Sequence, residues 1–185
     1  MIIVEGPDGA GKTTLIRELM EEFPELQLGE RGTANRDFLW KVTVSDTMTA
    51  LSKYALSWGP VTVWDRLFYS ELVYAPLGMP PRNVEFNPSQ QGHIHRLING
   101  GDFPVILCMP PKEVVLENIA DESRHEMPGV KAKAEAIYDE YRRLQDLVFP
   151  DRTALFDYTG VGGVPREEIY ADIRDYIHDK NERTW

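Results

Sequence analysis

Residues 6–13 read Gly6-Pro7-Asp8-Gly9-Ala10-Gly11-Lys12-Thr13 and fit the phosphate-binding loop pattern G-x-x-x-x-G-K-[ST] without a gap. The apolar run Ile2-Ile3-Val4 before them indicates a buried strand. After them, Leu15, Leu19 and Phe23 recur at a spacing of four, which indicates one face of a helix. Because a phosphate-binding loop joins a strand to a helix, both neighbours support the motif. The stretch therefore predicts a site for a nucleoside triphosphate at the start of an α/β domain.

Each residue type in this loop has a part in binding phosphate. Glycines allow the backbone to turn its N–H groups inward onto the β- and γ-phosphates. Lys12 brings a positive charge to the same oxygens, and Thr13 offers a hydroxyl to the Mg²⁺ that bridges them. The N-terminus of the following helix adds its partial positive charge. The predicted ATP-binding residues are Gly6, Gly9, Ala10, Gly11, Lys12, Thr13 and Thr14.

Length and charge restrict the kind of protein. Strand and helix signals alternate through all 185 residues, which predicts a single domain with a sheet of about five parallel strands covered by helices on both faces. The net charge of -10 disfavours polymeric nucleic acid without excluding it, and still allows a local positive pocket for a small anion. Cys108 lies alone in an apolar run, no segment approaches a membrane span, and no leader pattern precedes residue 1. We expect a cytoplasmic protein that does not enter membranes.

Two predicted strands end in charged residues. The second, over residues 26–28, runs into Glu30 and Arg31, and the third, over residues 61–64, runs into Asp65 and Arg66. Ligands of open α/β sheets bind beyond the carboxyl ends of the strands, where the phosphate-binding loop also lies. There Asp65 can hold Mg²⁺ or orient the attacking group, and Arg66 can neutralise charge on the transferring phosphoryl group. A helix cap at Asp65 and a solvated turn after the second strand are the alternative interpretations.

Together these motifs resemble the thymidylate kinase family within the P-loop nucleoside and nucleotide kinases. The family pattern E-G-x-[DE]-G-x-G-K-[ST]-T is matched from Glu5 to Thr14. The pattern D-R-Y-x-x-S-x-x-A-Y-Q is matched in part from Asp65 to Tyr74, with Leu67 and Ala75 among the departures. The resemblance implies a three-layer P-loop kinase fold, ATP- and Mg²⁺-dependent phosphoryl transfer to a deoxynucleoside monophosphate, and a homodimer.

The resemblance also implies roles for single residues. Asp8 accepts a hydrogen bond from the 3′-hydroxyl of the acceptor sugar, while Arg66 bridges the acceptor phosphate and the γ-phosphate. Ser70 and Tyr74, which are four residues apart and share a helix face, line the acceptor pocket. The full sets are Asp8, Glu30, Arg31, Arg66, Ser70 and Tyr74 for the acceptor, Thr13 and Asp65 for the metal, and Lys12, Asp65, Arg66 and Arg124 for catalysis.

Two segments around the site are expected to be loops. Residues 121–130 form a charged stretch in which the resemblance implies a lid, with Arg124 reaching the transferring phosphoryl group; Arg142 and Arg143 are further phosphate-ligand candidates. Residues 76–90 are rich in proline and asparagine, and we expect them to cover the acceptor or a dimer edge. His93 and His95 follow this loop, but the pattern offers no third metal ligand beside them.

The sequence is compatible with more than one acceptor. The thymine-reading Phe and Arg of the family are replaced here by Lys41 and Ser45. Glu30 supports an alternative, a deoxynucleoside kinase in which it acts as general base, because a sugar hydroxyl must lose a proton and a monophosphate need not. A kinase acting on a nucleoside within DNA is a third possibility. From another class, a nucleotide-gated switch would lack a use for the acceptor-side Asp-Arg pair.

Overall fold

A five-stranded parallel sheet forms the centre of the protein. The computed structural model describes residues 1–29, 60–79, 88–100, 103–121, 129–147, 149 and 153–182. Its strands are paired in the order β2-β3-β1-β4-β5, and every pair is parallel. They are β1 (Ile2–Glu5), β2 (Gln27–Leu28), β3 (Thr62–Asp65), β4 (Val105–Cys108) and β5 (Ala154–Phe156). The predicted fold class is confirmed.

Within the described ranges, helices follow β1, β3, β4 and β5. Those within the described ranges are α1 (Lys12–Glu22), α2 (Phe68–Tyr74), α3 (Pro88–Gly100), α4 (Lys112–Ala120), α5 (Val130–Gln145) and α6 (Arg166–Glu182). Parallel neighbours need a crossover connection, and a helix is the usual one. None of the described helices is both long and apolar enough to cross a lipid bilayer.

Several boundaries differ from the sequence prediction. Helix α3 begins at Pro88, inside the segment predicted as a loop over residues 76–90. A proline is tolerated in the first helical turn, because the N–H group that it lacks has no partner there. Strand β2 contains only Gln27 and Leu28, and both are exposed at the edge of the sheet. Glu30, Arg31 and Arg124 lie outside the described residues.

The central strands place the phosphate-binding loop. Every residue of β1 and β4 is buried, as expected for strands with a helix on each face. Gly6 follows β1 with φ +139, and a Cβ atom there would lie 2.4 Å from the carbonyl oxygen of Cys108. Only glycine fits this approach, so the loop leaves β1 pressed against the end of β4. Cys108 is buried, as the sequence predicts.

Candidate active site

The phosphate-binding loop has the backbone that its glycines predict. Gly9 and Gly11 have φ +75 and +84, in the left-handed region, and helix α1 begins directly after Gly11. Thr13 and Thr14 are exposed on the first turn, which carries no acidic residue. The positive end of the helix therefore has hydroxyl groups and no carboxylate beside it, a setting that favours an anion.

Lys12 lies across the loop with its side chain buried. Its Nζ donates a hydrogen bond of 2.5 Å to the carbonyl oxygen of Pro7. Burial, followed by the nearby charge of Arg66, lowers the pKa of Lys12 to about 7, and Asp8 opposes this shift. A phosphate placed in the loop would favour the charged ammonium and raise this pKa again.

Asp8, the variable residue inside the loop, joins the loop to the end of β3. Its Oδ1 forms an ion pair of 2.6 Å with Nη2 of Arg66, and its Oδ2 accepts a 2.6 Å hydrogen bond from the hydroxyl of Tyr74. The Arg66 guanidinium also lies 5.1 Å from the centre of the Tyr74 ring. Burial alone would raise the pKa of Asp8, but the charges of Arg66 and Lys12 and these hydrogen bonds outweigh it and lower the pKa. The carboxylate of Asp8 is therefore ionised and accepts hydrogen bonds.

Ser70 is brought to the same cluster from the interior. It is buried on α2, and its Oγ lies 3.3 Å from Nη1 of Arg66 and donates a 2.7 Å hydrogen bond to Oε2 of Glu5. Ser70 therefore supports Arg66 from inside the protein. Of the predicted acceptor residues, the structure brings Asp8, Arg66, Ser70 and Tyr74 together.

Glu5 and Tyr141 belong to this cluster, although the sequence analysis gave neither a role. Glu5 is fully buried, and burial raises its pKa. Tyr141, on α5, accepts a 2.8 Å hydrogen bond from Nη1 of Arg66 and lies 3.2 Å from Oε2 of Glu5. A charged residue within the buried run of β1 was a signal for Glu5. For Tyr141 the apolar spacing of Ala134, Ile137 and Tyr141 in the sequence indicates only a buried helix face.

Asp65 ends β3 directly beside the loop. It pairs in register with Val4 of the neighbouring strand, two residues before Gly6. The carboxylate of Asp65 and the hydroxyl of Thr13 are oxygen ligands of the kind that Mg²⁺ prefers, and Mg²⁺ usually takes few protein ligands besides phosphate and water. These two donors suit a metal held together with a nucleotide. Among the described residues, the cluster with three suitable side chains is the exposed group His178, Asp179 and Glu182 on α6.

Asn118 of α4 and Tyr158 contact the phosphate-binding loop at Gly9 and Gly11. Nδ2 of Asn118 donates hydrogen bonds of 2.9 Å to the carbonyl oxygen of Gly9 and 2.7 Å to the hydroxyl of Tyr158. The ring of Tyr158 is so close to Gly11 that a Cβ atom there would lie 2.9 Å from it. Asp157 holds the turn by accepting from the backbone N–H groups of Thr159 and Gly162. No pattern in the sequence singled out Asn118 or Tyr158.

Arg142 and Arg143 both bond within their own helix. Arg142 donates to Gln145 at 2.8 Å, and Arg143 pairs with Glu140 at 2.6 Å. Both contacts are at the surface of α5. In this structure neither contact is with a residue of the phosphate-binding loop.

Comparison with solved structures shows the fold. The YorR protein of Bacillus subtilis, solved in complex with phosphorylated GDP, matches with a TM-score of 0.66 and 20% identity, over 96% of this chain and 95% of that one. The deoxyadenosine kinase of M. mycoides with bound dATP matches with a TM-score of 0.53 and 15% identity, over 96% and 98%. The same kinase with the products dCMP and dCDP matches with a TM-score of 0.52 and 14% identity.

This chain shares the fold of a nucleoside kinase. No model of a protein family matches it, and no curated protein matches it in sequence. At these identities the solved structures support the architecture alone, and the activity must be argued from the residues of the site.

Proposed function

We propose that this protein is a P-loop kinase that transfers the γ-phosphoryl group of ATP to a deoxynucleoside monophosphate. The observation that carries the proposal is the cluster of Asp8, Arg66 and Tyr74 against the phosphate-binding loop. The loop accounts for the donor. A cation, a carboxylate and an aromatic ring beside it account for an acceptor, which a nucleotide-gated switch does not need.

The donor side holds the triphosphate by backbone and charge. The N–H groups of the loop and the ammonium of Lys12 contact the β- and γ-phosphate oxygens, and the developing negative charge is stabilised there. Thr13 and Asp65 would hold Mg²⁺, which when bound neutralises phosphate charge. Tyr158, exposed beside Gly11, is placed to contact the donor nucleoside.

The acceptor side orients the attacking oxygen. Asp8, ionised, accepts a hydrogen bond from a sugar hydroxyl, and Arg66 directs its guanidinium to the anionic groups that meet in the transition state. An acceptor phosphate oxygen attacks the γ-phosphorus in line, and the bond from that phosphorus to the bridging oxygen of ADP breaks. Because the acceptor oxygen is already ionised, this step needs no general base.

A deoxynucleoside acceptor is the second candidate, and the charge of the described cluster favours it. Glu5 and Asp8 offset Arg66 and Lys12, so these four groups supply little excess positive charge for an acceptor phosphate. A neutral nucleoside needs none. In that case Glu30 would be the general base for the 5′-hydroxyl.

Matched acceptor pairs distinguish the two candidates. Each deoxynucleoside and its own 5′-monophosphate are incubated with ATP and Mg²⁺, and the products are separated by ion-exchange chromatography. We expect diphosphate from the monophosphates and no monophosphate from the nucleosides. Transfer to nucleosides alone would replace the first proposal with the second. The expected homodimer and cytoplasmic location belong to the first proposal, and light scattering tests the dimer.

A further inference from the structure

Glu5 is a buried carboxylate that the proposed mechanism does not use. It is 0% exposed at the end of β1 and so presents no surface to a ligand bound at the loop. Burying a carboxylate is costly unless hydrogen bonds satisfy it. Its contacts therefore indicate what the protein gains from it.

The hydrogen bonds of Glu5 with described residues lead toward Arg66. Oε1 accepts a 2.7 Å hydrogen bond from the backbone N–H of Leu67, the residue that follows Arg66. Oε2 accepts from Ser70 at 2.7 Å and from Tyr141 at 3.2 Å. Both hydroxyls in turn receive hydrogen bonds from Nη1 of Arg66, at 3.3 and 2.8 Å. Donation runs from the guanidinium through the two hydroxyls to the carboxylate, and the two hydroxyls lie 2.9 Å apart, within hydrogen-bond distance of each other.

The backbone of Arg66 needs such support. Its φ is +69, and it is the non-glycine residue with positive φ among those described. A non-glycine residue in this region is strained and persists only where the surroundings impose the conformation. The N–H of Arg66 donates to the carbonyl oxygen of Val4 at 2.8 Å, and the N–H of Leu67 donates to Glu5. Strand β1 thus holds the chain on both sides of the strained residue.

The two halves of the guanidinium have different partners. Nη2 forms the ion pair with Asp8. Nη1 donates to the neutral hydroxyls of Tyr141 and Ser70. A direct ion pair with Glu5 would consume more of the charge that an anionic ligand needs. Two hydroxyls between the groups fix the plane of the guanidinium without a second direct ion pair.

We propose that Glu5, acting through the hydroxyls of Ser70 and Tyr141, is a positioning residue that fixes the orientation of Arg66 on the acceptor side. This inference rests on the proposed function. In-line transfer depends on the position of the Arg66 guanidinium, because a small misplacement of a catalytic group lowers the rate by a large factor. Buried residues would fix that position.

Tyr141→Phe tests the inference with little change in packing. It removes one hydroxyl and keeps the ring, which packs edge-on against Tyr74 at 6.4 Å. We expect kcat/KM for the acceptor to fall about tenfold, as for the loss of a hydrogen bond to a charged group, while KM for ATP changes less than about twofold. The matched control is Tyr138→Phe on the same helix, which removes a hydroxyl that donates to Pro110. We expect no change from the control.

A double-mutant cycle separates positioning from general stability. Arg66→Lys removes the fork that contacts Tyr141 and Asp8 at once. If Tyr141 acts through Arg66, Tyr141→Phe should cost less than about twofold in the Arg66→Lys background. An equal, about tenfold loss in both backgrounds would overturn the proposal, as would Tyr141→Phe behaving like the control.

A spectroscopic readout does not depend on activity. In protein labelled with ¹⁵N-arginine, we expect Arg66 to give distinct, slowly exchanging Nη–H signals, assigned by their loss in Arg66→Lys. These signals should broaden or disappear in Tyr141→Phe and stay in Tyr138→Phe. Unchanged signals in Tyr141→Phe would contradict the inference. If the wild type transfers to no acceptor, the proposed function fails while this measurement still decides the positioning.

Discussion

Lys12 is the residue whose charge depends most on what the site binds. Its side chain is buried and its pKa is lowered from an ordinary 10.5 to about 7, chiefly by desolvation. At neutral pH a substantial fraction is therefore neutral. A bound polyphosphate stabilises the ammonium, so binding and protonation of Lys12 are linked.

We predict that nucleotide binding takes up a proton above pH 7. In the free protein Lys12 loses its proton near pH 7, whereas the bound phosphate keeps it on, so affinity falls as pH rises, by up to about tenfold per unit. Calorimetry in two buffers of different ionisation heat should measure uptake of about one proton per nucleotide at pH 8. Lys12→Met is the control, because subtracting its proton uptake removes the contribution of the nucleotide's own ionisation. Equal uptake by both proteins would contradict the assignment.

Asp65 is expected to act through the metal and not through the fold. We predict that Asp65→Asn lowers turnover about a hundredfold or more and raises the Mg²⁺ concentration needed for half-maximal rate, because an amide oxygen binds Mg²⁺ more weakly than a carboxylate. Rates measured over a Mg²⁺ titration check this, with thermal melting as the control for folding. An unchanged Mg²⁺ dependence would remove Asp65 from the metal site.

At the scale of elements, the junction between β1 and the loop depends on one glycine. Gly6 has both a positive φ and a Cβ position blocked by backbone, 2.4 Å from the carbonyl oxygen of Cys108. Gly160 also has a positive φ, +74, but nothing lies within 4 Å of its Cβ position. Gly160 therefore reports the cost of a left-handed backbone without a clash.

We predict that Gly6→Ala lowers the free energy of unfolding by about 3 kcal/mol or more. The alanine would strain its own backbone, and β4 would also have to move away from the added methyl group. Gly160→Ala should cost only about 1–2 kcal/mol, the cost of the left-handed backbone alone. Urea denaturation of both variants measures the difference. Equal losses would show that β4 yields to the added methyl group at little cost.

Local patterns accounted for the elements but not for the contacts that orient Arg66. The apolar run before Gly6 and the spacing of Leu15 and Leu19 predicted a strand and a helix that the structure contains. Such signals lie within a few residues of one another. The hydrogen bond between Glu5 and Tyr141 joins positions 136 residues apart, and periodicity reports only that a side chain is buried, not which partner its hydroxyl finds.

At the scale of the whole molecule, the strand order builds the site. Because β1 lies between β3 and β4, the phosphate-binding loop has the Asp65-Arg66 end on one side and the β4 end on the other. The sequence predicted a parallel sheet and placed charged residues at strand ends, which sufficed to expect Asp8 and Arg66 near each other. The contacts of Tyr74 with both residues depend on the position of α2, which no strand-end pattern predicts.

The base that the acceptor carries could not be predicted for a different reason. Recognition of a base depends on a few side chains in loops, whereas phosphate recognition depends on a backbone motif that leaves a pattern in the sequence. Lys41 and Ser45, where the resembling family reads thymine, lie outside the described residues, as does Glu30. The phosphoryl chemistry is therefore supported by more of the structure than the choice of acceptor.

The most direct test of the central claim is to follow the γ-phosphoryl group of labelled ATP. Wild-type protein and Lys12→Ala are incubated with Mg²⁺ and a panel of deoxynucleosides, their monophosphates and short DNA, and label is measured in each acceptor and in free phosphate. We expect label in a monophosphate, with a loss of about a thousandfold or more in Lys12→Ala. Label in free phosphate alone, or transfer that survives the loss of Lys12, would contradict it.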